Sequence, residues 1–189
     1  MFKFSRQDRK LLFSLLFLSV FVSAFTLGRS TTIFTHEDRV SFEDTVLFII
    51  IRGGVVVYNH TTKNFITNLG LDYCKQQLGG TPTTDSAHYI SLSANTQAPL
   101  QSWTILPDEI VTGGLERAAG VYTSLGNGQW KIEKVFTATA PITGIQISGL
   151  HWALSGDSNL FAVTTMPAAA LQTNDQLVIQ WQVTIARAA

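Results

Sequence analysis

Hydrophobic residues in this chain follow two patterns, one long unbroken run near the start and many short alternating runs after it. The long run is Leu11–Leu27, whose 17 residues carry no charge. As a helix it would span about 25 Å, close to the roughly 30 Å hydrocarbon core of a bilayer. Lys10 can reach the interface and lengthen the span. The pattern predicts a transmembrane helix within residues 1–28.

A cleaved signal peptide is the alternative interpretation of the same run. Val22-Ser23-Ala24 has the small-residue pattern of a cleavage site, and basic residues precede the run. Both interpretations place the rest of the chain outside. Residues 1–29 carry five basic residues and one acidic residue, a net +4, whereas residues 30–189 carry eight basic and twelve acidic residues, a net −4. The positive-inside rule then predicts an internal N-terminus and an external C-terminal domain.

A polar connector and a short apolar run follow this segment. Residues 29–45 mix charged and small polar residues, which predicts a stalk or linker before a domain spanning residues 46–189. Val46–Ile51 (VLFIII) is too short to cross a membrane and is closed by two glycines, so it predicts a buried strand. We considered that this strand completes the sheet of a neighbouring copy. Val55–Tyr58 and Lys63–Thr67 predict two further strands around a turn at Asn59–Thr62.

One helix is predicted after the anchor. Thr67 has the character of an N-cap, and Gly79-Gly80 ends a segment, Asn68–Leu78, with helical spacing. Leu71, Cys74 and Leu78 share one face of that helix, which predicts that this face packs against the rest of the domain.

Short strands and turns fill the remainder. The clearest strand is the last, where five apolar residues alternate with polar ones: Leu177, Ile179, Trp181, Val183 and Ile185. A one-residue slip would expose all five, at roughly 1.5–3 kcal/mol each. The other predicted strands are Tyr89–Ser93, one within Leu115–Ser124, Trp130–Thr139, Ile145–Leu154 and Leu160–Met166. Turns at intervals of about 8–12 residues predict a mainly β fold, an antiparallel β-sandwich of jelly-roll or Ig-like type with one short helix.

Composition excludes several classes of function. The acidic body lacks the basic surface that nucleic-acid binding requires. Cys74 is the only cysteine, so no intrachain disulfide can form, and it is expected to be a small buried apolar residue. Nucleophile, phosphate-loop and dinucleotide motifs are missing from the sequence. We therefore predict a protein that is not an enzyme and uses no cofactor.

Histidines and carboxylates give no motif for a metal or a catalytic pair. The four histidines, His36, His60, His88 and His151, lack metal-ligand spacing. His88 and His151 could meet across a sheet, but hydrogen-bonded histidines in a partly buried setting are the simpler interpretation. Asp108, Glu109 and Glu116 are close in sequence, and adjacent acids in a loop are typical of solvated surface rather than of a glycosidase pair.

Two residues remain as candidate surface sites. Trp103 lies in a loop rich in Pro, Gln and Ser, so it is the tryptophan expected to be exposed and is a candidate for glycan contact, with anchoring of the loop to the core as the alternative. Trp130, Trp152 and Trp181 lie in predicted strands and are expected to pack internally. Asn59-His60-Thr61 fits the N-glycosylation sequon and falls in a predicted turn.

The order of the elements resembles a β-sandwich module in structural proteins of tailed phages and related archaeal proteins, over roughly residues 53–186. The matching features are a short helix at Asn68–Leu78, a strand at Tyr89–Ser93, a strand-opening Arg117, the aromatic-x-Ala segment Phe136–Ala138, the x-Gly-Leu strand at Ser148–Leu150 and the terminal strand. The resemblance implies a building block of an assembly and carries over no catalytic residue. The apolar run before the module departs from this pattern.

The sequence favours a non-enzymatic structural subunit that is anchored in a lipid bilayer by a single span. It would build a virion, surface-layer or filament assembly with copies of itself or other structural proteins. Two alternatives stay open, a membrane-anchored module that binds glycans or a receptor, and an accessory subunit of a membrane protein complex. The predicted location is the cell surface or a virion.

Overall fold

The computed structural model describes residues 40–80, 82 and 84–187. The predicted membrane segment, residues 1–28, and residues 29–39 of the predicted connector lie outside the described residues. None of the helices formed by the described residues combines the length and the hydrophobicity needed to cross a membrane.

The described residues form nine strands and one helix. These are β1 (Val40–Arg52), β2 (Val55–Ile66), α1 (Asn68–Gly79), β3 (Tyr89–Ser93), β4 (Ala118–Ala119), β5 (Val121–Gly126), β6 (Gln129–Thr137), β7 (Ile142–His151), β8 (Leu160–Leu171) and β9 (Gln176–Arg187). All paired strands are antiparallel. The prediction of a mainly antiparallel β fold with one short helix is confirmed.

The strands follow the order β4-β3-β7-β8-β2-β1-β9-β6-β5. We call β2-β1-β9-β6-β5 the first half-sheet and β4-β3-β7-β8 the second half-sheet. β2 joins them, because its residues up to Lys63 pair with β1 and its last three, Asn64–Ile66, pair with β8. The two strands at the ends of this order, β4 and β5, are consecutive in the chain and are separated only by Gly120. The sheet is therefore nearly closed.

The start of the sheet differs from the prediction. β1 begins at Val40, and its pairing with β9 runs from Val40–Arg187 to Ile51–Gln176. Residues 40–45 of the predicted connector are therefore part of a strand, which their pairing with β9 extends although the segment includes the buried Asp44. β1 lies between β2 and β9 of its own chain, so the strand predicted to complete a neighbour's sheet instead completes its own.

The turn predicted at Asn59–Thr62 is wrong. β2 continues without interruption from Val55 to Ile66, with Asn59 and Thr61 exposed and His60 and Thr62 half-buried. The chain reverses at Gly53-Gly54, where φ is 57° and 80°. Two consecutive positive φ angles are those of a two-residue hairpin turn that matches the twist of the strands.

The core lies between the two halves of the sheet. Leu177, Ile179, Trp181 and Val183 of β9 are buried, as the alternation predicts. Leu177, Ile179 and Trp181 belong to one apolar cluster with residues of β1, β3, β6, β7 and β8. A terminal strand thus supplies a central part of the core.

α1 is confirmed, but of the three residues on the face predicted to pack only Cys74 does so. Thr67 caps the helix, since its side chain accepts a hydrogen bond from the Gly70 amide. Leu71 and Leu78 are 55% and 80% exposed, and the helix instead packs through Gly70, Tyr73 and Cys74. The glycine decides this face, because a Cβ on Gly70 would collide with the Phe161 carbonyl of β8.

Candidate functional site

A buried serine–histidine pair joins two strands of the second half-sheet. Ser91 of β3 lies opposite Gly149 of β7, and His151 follows on the same face of β7. The Ser91 hydroxyl lies 2.7 Å from His151 Nε2, and both residues are fully buried. A Cβ on Gly149 would stand 2.9 Å from each of these two atoms, so glycine leaves the space that the contact occupies.

Asn159 fixes the orientation of the imidazole. Its amide nitrogen donates to the carbonyls of Ser155 and Gly156 at 3.0 and 2.8 Å, which identifies Oδ1 as the atom that faces His151 Nδ1 at 2.8 Å. Nδ1 must therefore carry the proton, because a carbonyl oxygen only accepts. Nε2 is then the acceptor, and the Ser91 hydroxyl donates to it.

An ion pair extends the network towards the surface. Arg117 Nη1 donates to Asn159 Oδ1 at 2.9 Å and to the Ala153 carbonyl at 3.2 Å. Its Nε and Nη2 donate to the two carboxylate oxygens of Glu109 at 2.8 and 2.5 Å. Both side chains are largely buried. Five residues, which we call the His151 network, form one connected chain: Ser91, His151, Asn159, Arg117 and Glu109.

The imidazole in this network is neutral. Burial is the main reason that the pKa of His151 falls to about 3, and the nearby Arg117 charge lowers it further. The bond to Asn159 acts in the other direction but is weaker. His151 therefore holds its single proton on Nδ1 throughout the neutral range.

The order of Ser91, His151 and Asn159 is that of a hydrolase triad, in which a base accepts from a nucleophile and a third group orients the base. A nucleophile must also touch its substrate. Ser91 has no exposed surface. A cavity of about 450 Å³ lies beside the network. It is lined by Glu109, Arg117 and residues of the segments 111–116 and 154–157, but not by Ser91. In this structure the network is a means of fastening loops to strands.

The loop carboxylates do not form a free pair. Glu109 is bound by Arg117, and Asp108 accepts a hydrogen bond from Asn95 at 2.7 Å. Glu116 has an exposed side chain that accepts a hydrogen bond from the Gly114 amide. Each of these three carboxylates therefore accepts a hydrogen bond from a nearby loop residue.

His88 and His151 do meet across the sheet, but through the backbone. The His88 amide donates to the His151 carbonyl at 3.0 Å, whereas the His88 ring contacts Ser86 and Tyr89 instead of its counterpart. Among the described residues, no three His, Cys, Asp or Glu side chains converge as metal ligands would.

The exposure predicted for Trp103 is wrong. Only 9% of its surface is accessible, because it packs in a second apolar cluster with Leu106, Ile147, Leu160 and Val163. The loop folds back onto β7 and β8, so its tryptophan anchors it. The indole face that stacking on a glycan requires is covered in this structure.

Asn59 is exposed, as its proposed modification requires, but it lies within β2. The sequon therefore sits on a strand of the first half-sheet. N-glycosylation at this residue stays a prediction.

A second buried polar group contrasts with the His151 network. Asp44 of β1 is almost fully buried, and its Oδ2 accepts from Asn64 Nδ2 at 3.1 Å, whereas its Oδ1 has no hydrogen-bond partner. It lines a cleft of about 330 Å³ where β1 and β2 diverge. Burial raises the pKa of this carboxyl, against smaller opposite effects of Asn64 and the Thr184 amide.

The edges of the first half-sheet form the most unusual surface. β5 pairs only with β6, and β2 between Val55 and Lys63 pairs only with β1 among the described residues. The described residues include thirteen large apolar side chains that are exposed, and six of them lie on these two strands: Val55, Val56, Val57, Val121, Tyr122 and Leu125. Neither edge carries proline or, before Lys63, a charged residue.

Natural sheets usually protect such edges with charges, prolines or bulges. Here each strand has one register irregularity, opposite Ile50–Ile51 for β2 and near Gly126 for β5. The rest of each edge is unprotected.

No protein-family model matches the chain, and no curated protein matches it.

Sequence reasoning missed the His151 network and the open edges. Ser91 and His151 are 60 residues apart, and Arg117 and Asn159 are 42 apart, so no local pattern joins them. The available signal was the presence of polar residues within otherwise apolar strands, namely Ser91 in YISLS and His151 directly after ISGL.

Proposed function

We propose that this chain is a non-enzymatic structural subunit, held at a membrane by its N-terminal apolar segment, whose external domain is a β-sandwich that assembles with copies of itself. A virion, a surface layer or a filament is the kind of assembly that such a subunit builds. Residues 1–28 would be the anchor, with the N-terminus inside.

One observation carries the proposal, the pair of unprotected apolar edges on the first half-sheet. Exposed neutral edges are templates for pairing with another chain, and a soluble monomer gains nothing from leaving them open. The low share of charged residues, 14% of the chain, fits a surface that is covered in its working state.

The His151 network supports the non-enzymatic part of the proposal. It is the one place among the described residues where a serine, a histidine and an orienting amide lie in catalytic order. Its serine and histidine are buried and its imidazole is neutral. Such a satisfied network stiffens a domain that must present fixed edges.

The anchor part of the proposal is supported by the sequence of residues 1–28. The uncharged run Leu11–Leu27 and the net +4 charge of residues 1–29 are the supporting observations. A single span would hold all copies in one plane and raise their effective concentration, which favours weak lateral contacts.

Cross-linking of the full-length chain in intact membranes tests the proposal. We expect the protein to resist extraction by alkaline carbonate and to give a ladder of its own multiples with an amine-independent cross-linker. A matched variant, Leu18→Arg, places a charge in the centre of the run at a cost of roughly 2.5–3.5 kcal/mol for insertion and should lose membrane retention. Cross-links to a different protein, without cross-linked multiples of this chain, would favour the accessory-subunit alternative. A protein that stays monomeric would contradict the proposal.

A further inference from the structure

We propose that the open edge of β2, residues Val55–Lys63, pairs antiparallel with the same edge of a second copy, so that two first half-sheets become one continuous sheet. This inference rests on the proposed structural function and names the contact by which two copies join.

The geometry of the edge favours β2 over β5. The open part of β2 is nine residues long, whereas β5 has six and its register shifts near its end. At about 3.4 Å per residue, the nine residues span roughly 30 Å, and the six from Tyr58 to Lys63 give a regular ladder of about 20 Å. The one irregularity of this edge lies near Val57, so the segment from Tyr58 onward is regular.

The charge of the edge favours a second copy as the partner. A two-fold contact places an edge against an identical edge, so an edge that carries several like charges would repel its copy. Val55–Thr62 is uncharged, and Lys63 stands at the end of the open segment. Full antiparallel overlap places Asn59, the midpoint of the segment, opposite Asn59 of the other copy and Lys63 opposite Val55.

The exposed valines supply the apolar part of the contact. Val55, Val56 and Val57 are 63%, 56% and 51% exposed, so both faces of the strand have apolar surface to cover. β-branched residues on adjacent strands pack well across a ladder. A glycan on Asn59 would stand at the centre of this contact, so modification and pairing exclude each other.

The test compares association constants of the full-length chain in mild detergent, measured by sedimentation. The double variant Val55→Lys with Val57→Lys should associate at least tenfold more weakly than the natural chain. The matched control, Leu71→Lys with Leu78→Lys, adds the same charge to the exposed face of α1 and should leave the constant unchanged. Equal near-ultraviolet circular dichroism of all three proteins shows that folding is intact.

Each other outcome has a definite meaning. Undiminished association of the β2 variant overturns the inference but leaves the proposed function standing, because copies still assemble. Loss of association only in the α1 variant also overturns it. A natural chain that stays monomeric overturns the proposed function together with the inference.

Disulfide trapping gives a second answer if the lysine variant fails to fold. Asn59→Cys should form a cross-linked dimer on mild oxidation, because the residue lies at the two-fold axis. Thr123→Cys, at the middle of the β5 edge, should not. The natural chain controls for Cys74, whose half-buried thiol has a pKa that burial raises. Dimer from Thr123→Cys and none from Asn59→Cys contradicts the inference.

Discussion

The loop-covered face of the second half-sheet, which holds the His151 network, and the edges of the first half-sheet are opposites. Around His151 polar groups are buried and hydrogen-bonded, whereas along β2 and β5 apolar side chains are exposed and the outer strand edges have no partner among the described residues. An exposed strand edge or apolar side chain can still lower the free energy by pairing with another molecule, whereas a hydrogen-bonded buried group cannot. The comparison therefore locates interaction at the edges and rigidity at the network.

The largest effect on this contrast should come from Arg117→Leu. The change leaves the largely buried Glu109 carboxylate without its donor and removes one of the two donors to Asn159 Oδ1, the other being His151 Nδ1. Removing one member of a buried ion pair costs roughly 3–5 kcal/mol, which we expect as the loss of unfolding free energy in a denaturant titration. Lys75→Leu is the control, because its pair with Asp72 is exposed and should contribute less than about 1 kcal/mol. Equal losses in the two variants would contradict a buried clamp.

A smaller loss is expected for Gly149→Ala. The new methyl group would stand 2.9 Å from both atoms of the Ser91–His151 contact, and relieving such crowding costs about 1–3 kcal/mol. Gly79→Ala is the matched control, since nothing lies within 4 Å of a Cβ at that helix end. Its stability should be unchanged or raised by about 0.5–1 kcal/mol. Thermal unfolding of both variants gives the comparison, and a harmless Gly149→Ala would show that the network has spare room.

The network should also produce a pH dependence. Because the folded pKa of His151 is about 3 and its ordinary value is 6.5, the unfolded chain binds more protons between these values. The contribution of His151 is therefore complete above pH 6.5 and is lost as pH falls towards 3, with a slope of up to about 1.4 kcal/mol per pH unit. His151→Gln should remove this slope in denaturant titrations, whereas His88→Gln should keep it. A slope retained in His151→Gln would contradict the assignment.

Asp44 acts with the opposite sign. Its folded pKa is raised above 3.8, so its contribution is present below 3.8 and is lost as pH rises through the folded pKa. Asp44→Asn should therefore remove a fall in stability with rising pH, without altering the slope that His151 gives. The same titrations separate the two residues.

The smallest effect on stability is expected at the edge itself. Val57→Lys changes a strand residue that is half exposed, and surface substitutions usually alter unfolding free energy by less than about 0.5 kcal/mol. Val163→Lys would bury a charge in the second apolar cluster and should prevent folding. A large destabilisation by Val57→Lys would mean that the edge is covered within its own chain.

Much of the fold could be predicted from the sequence where one face of a strand is buried. The alternation in Leu177–Ile185 specifies β9 because a slip would expose its apolar side chains. Predictions failed where packing decided the outcome. Asn59–Thr62 is polar because β2 is half exposed, and Leu71 and Leu78 face outward because Gly70 allows the opposite side of α1 to approach β8.

The candidate sites were harder to predict, because they depend on contacts between distant residues. Trp103 has a polar loop around it in sequence, but the loop folds onto Ile147 and Val163, more than forty residues later. The unpaired edge of β2 could not be predicted either, because it depends on which strands the topology places beside β2 and not on the residues of β2 itself.

Native mass spectrometry of the full-length chain, released from membranes in mild detergent, tests the central claim most directly. It reports both the mass of each subunit and the number of copies. The account predicts complexes built from copies of an uncleaved 20.7 kDa chain without a glycan on Asn59. A monomer whose mass lacks the residues up to Ala24 would contradict both the anchor and the assembly.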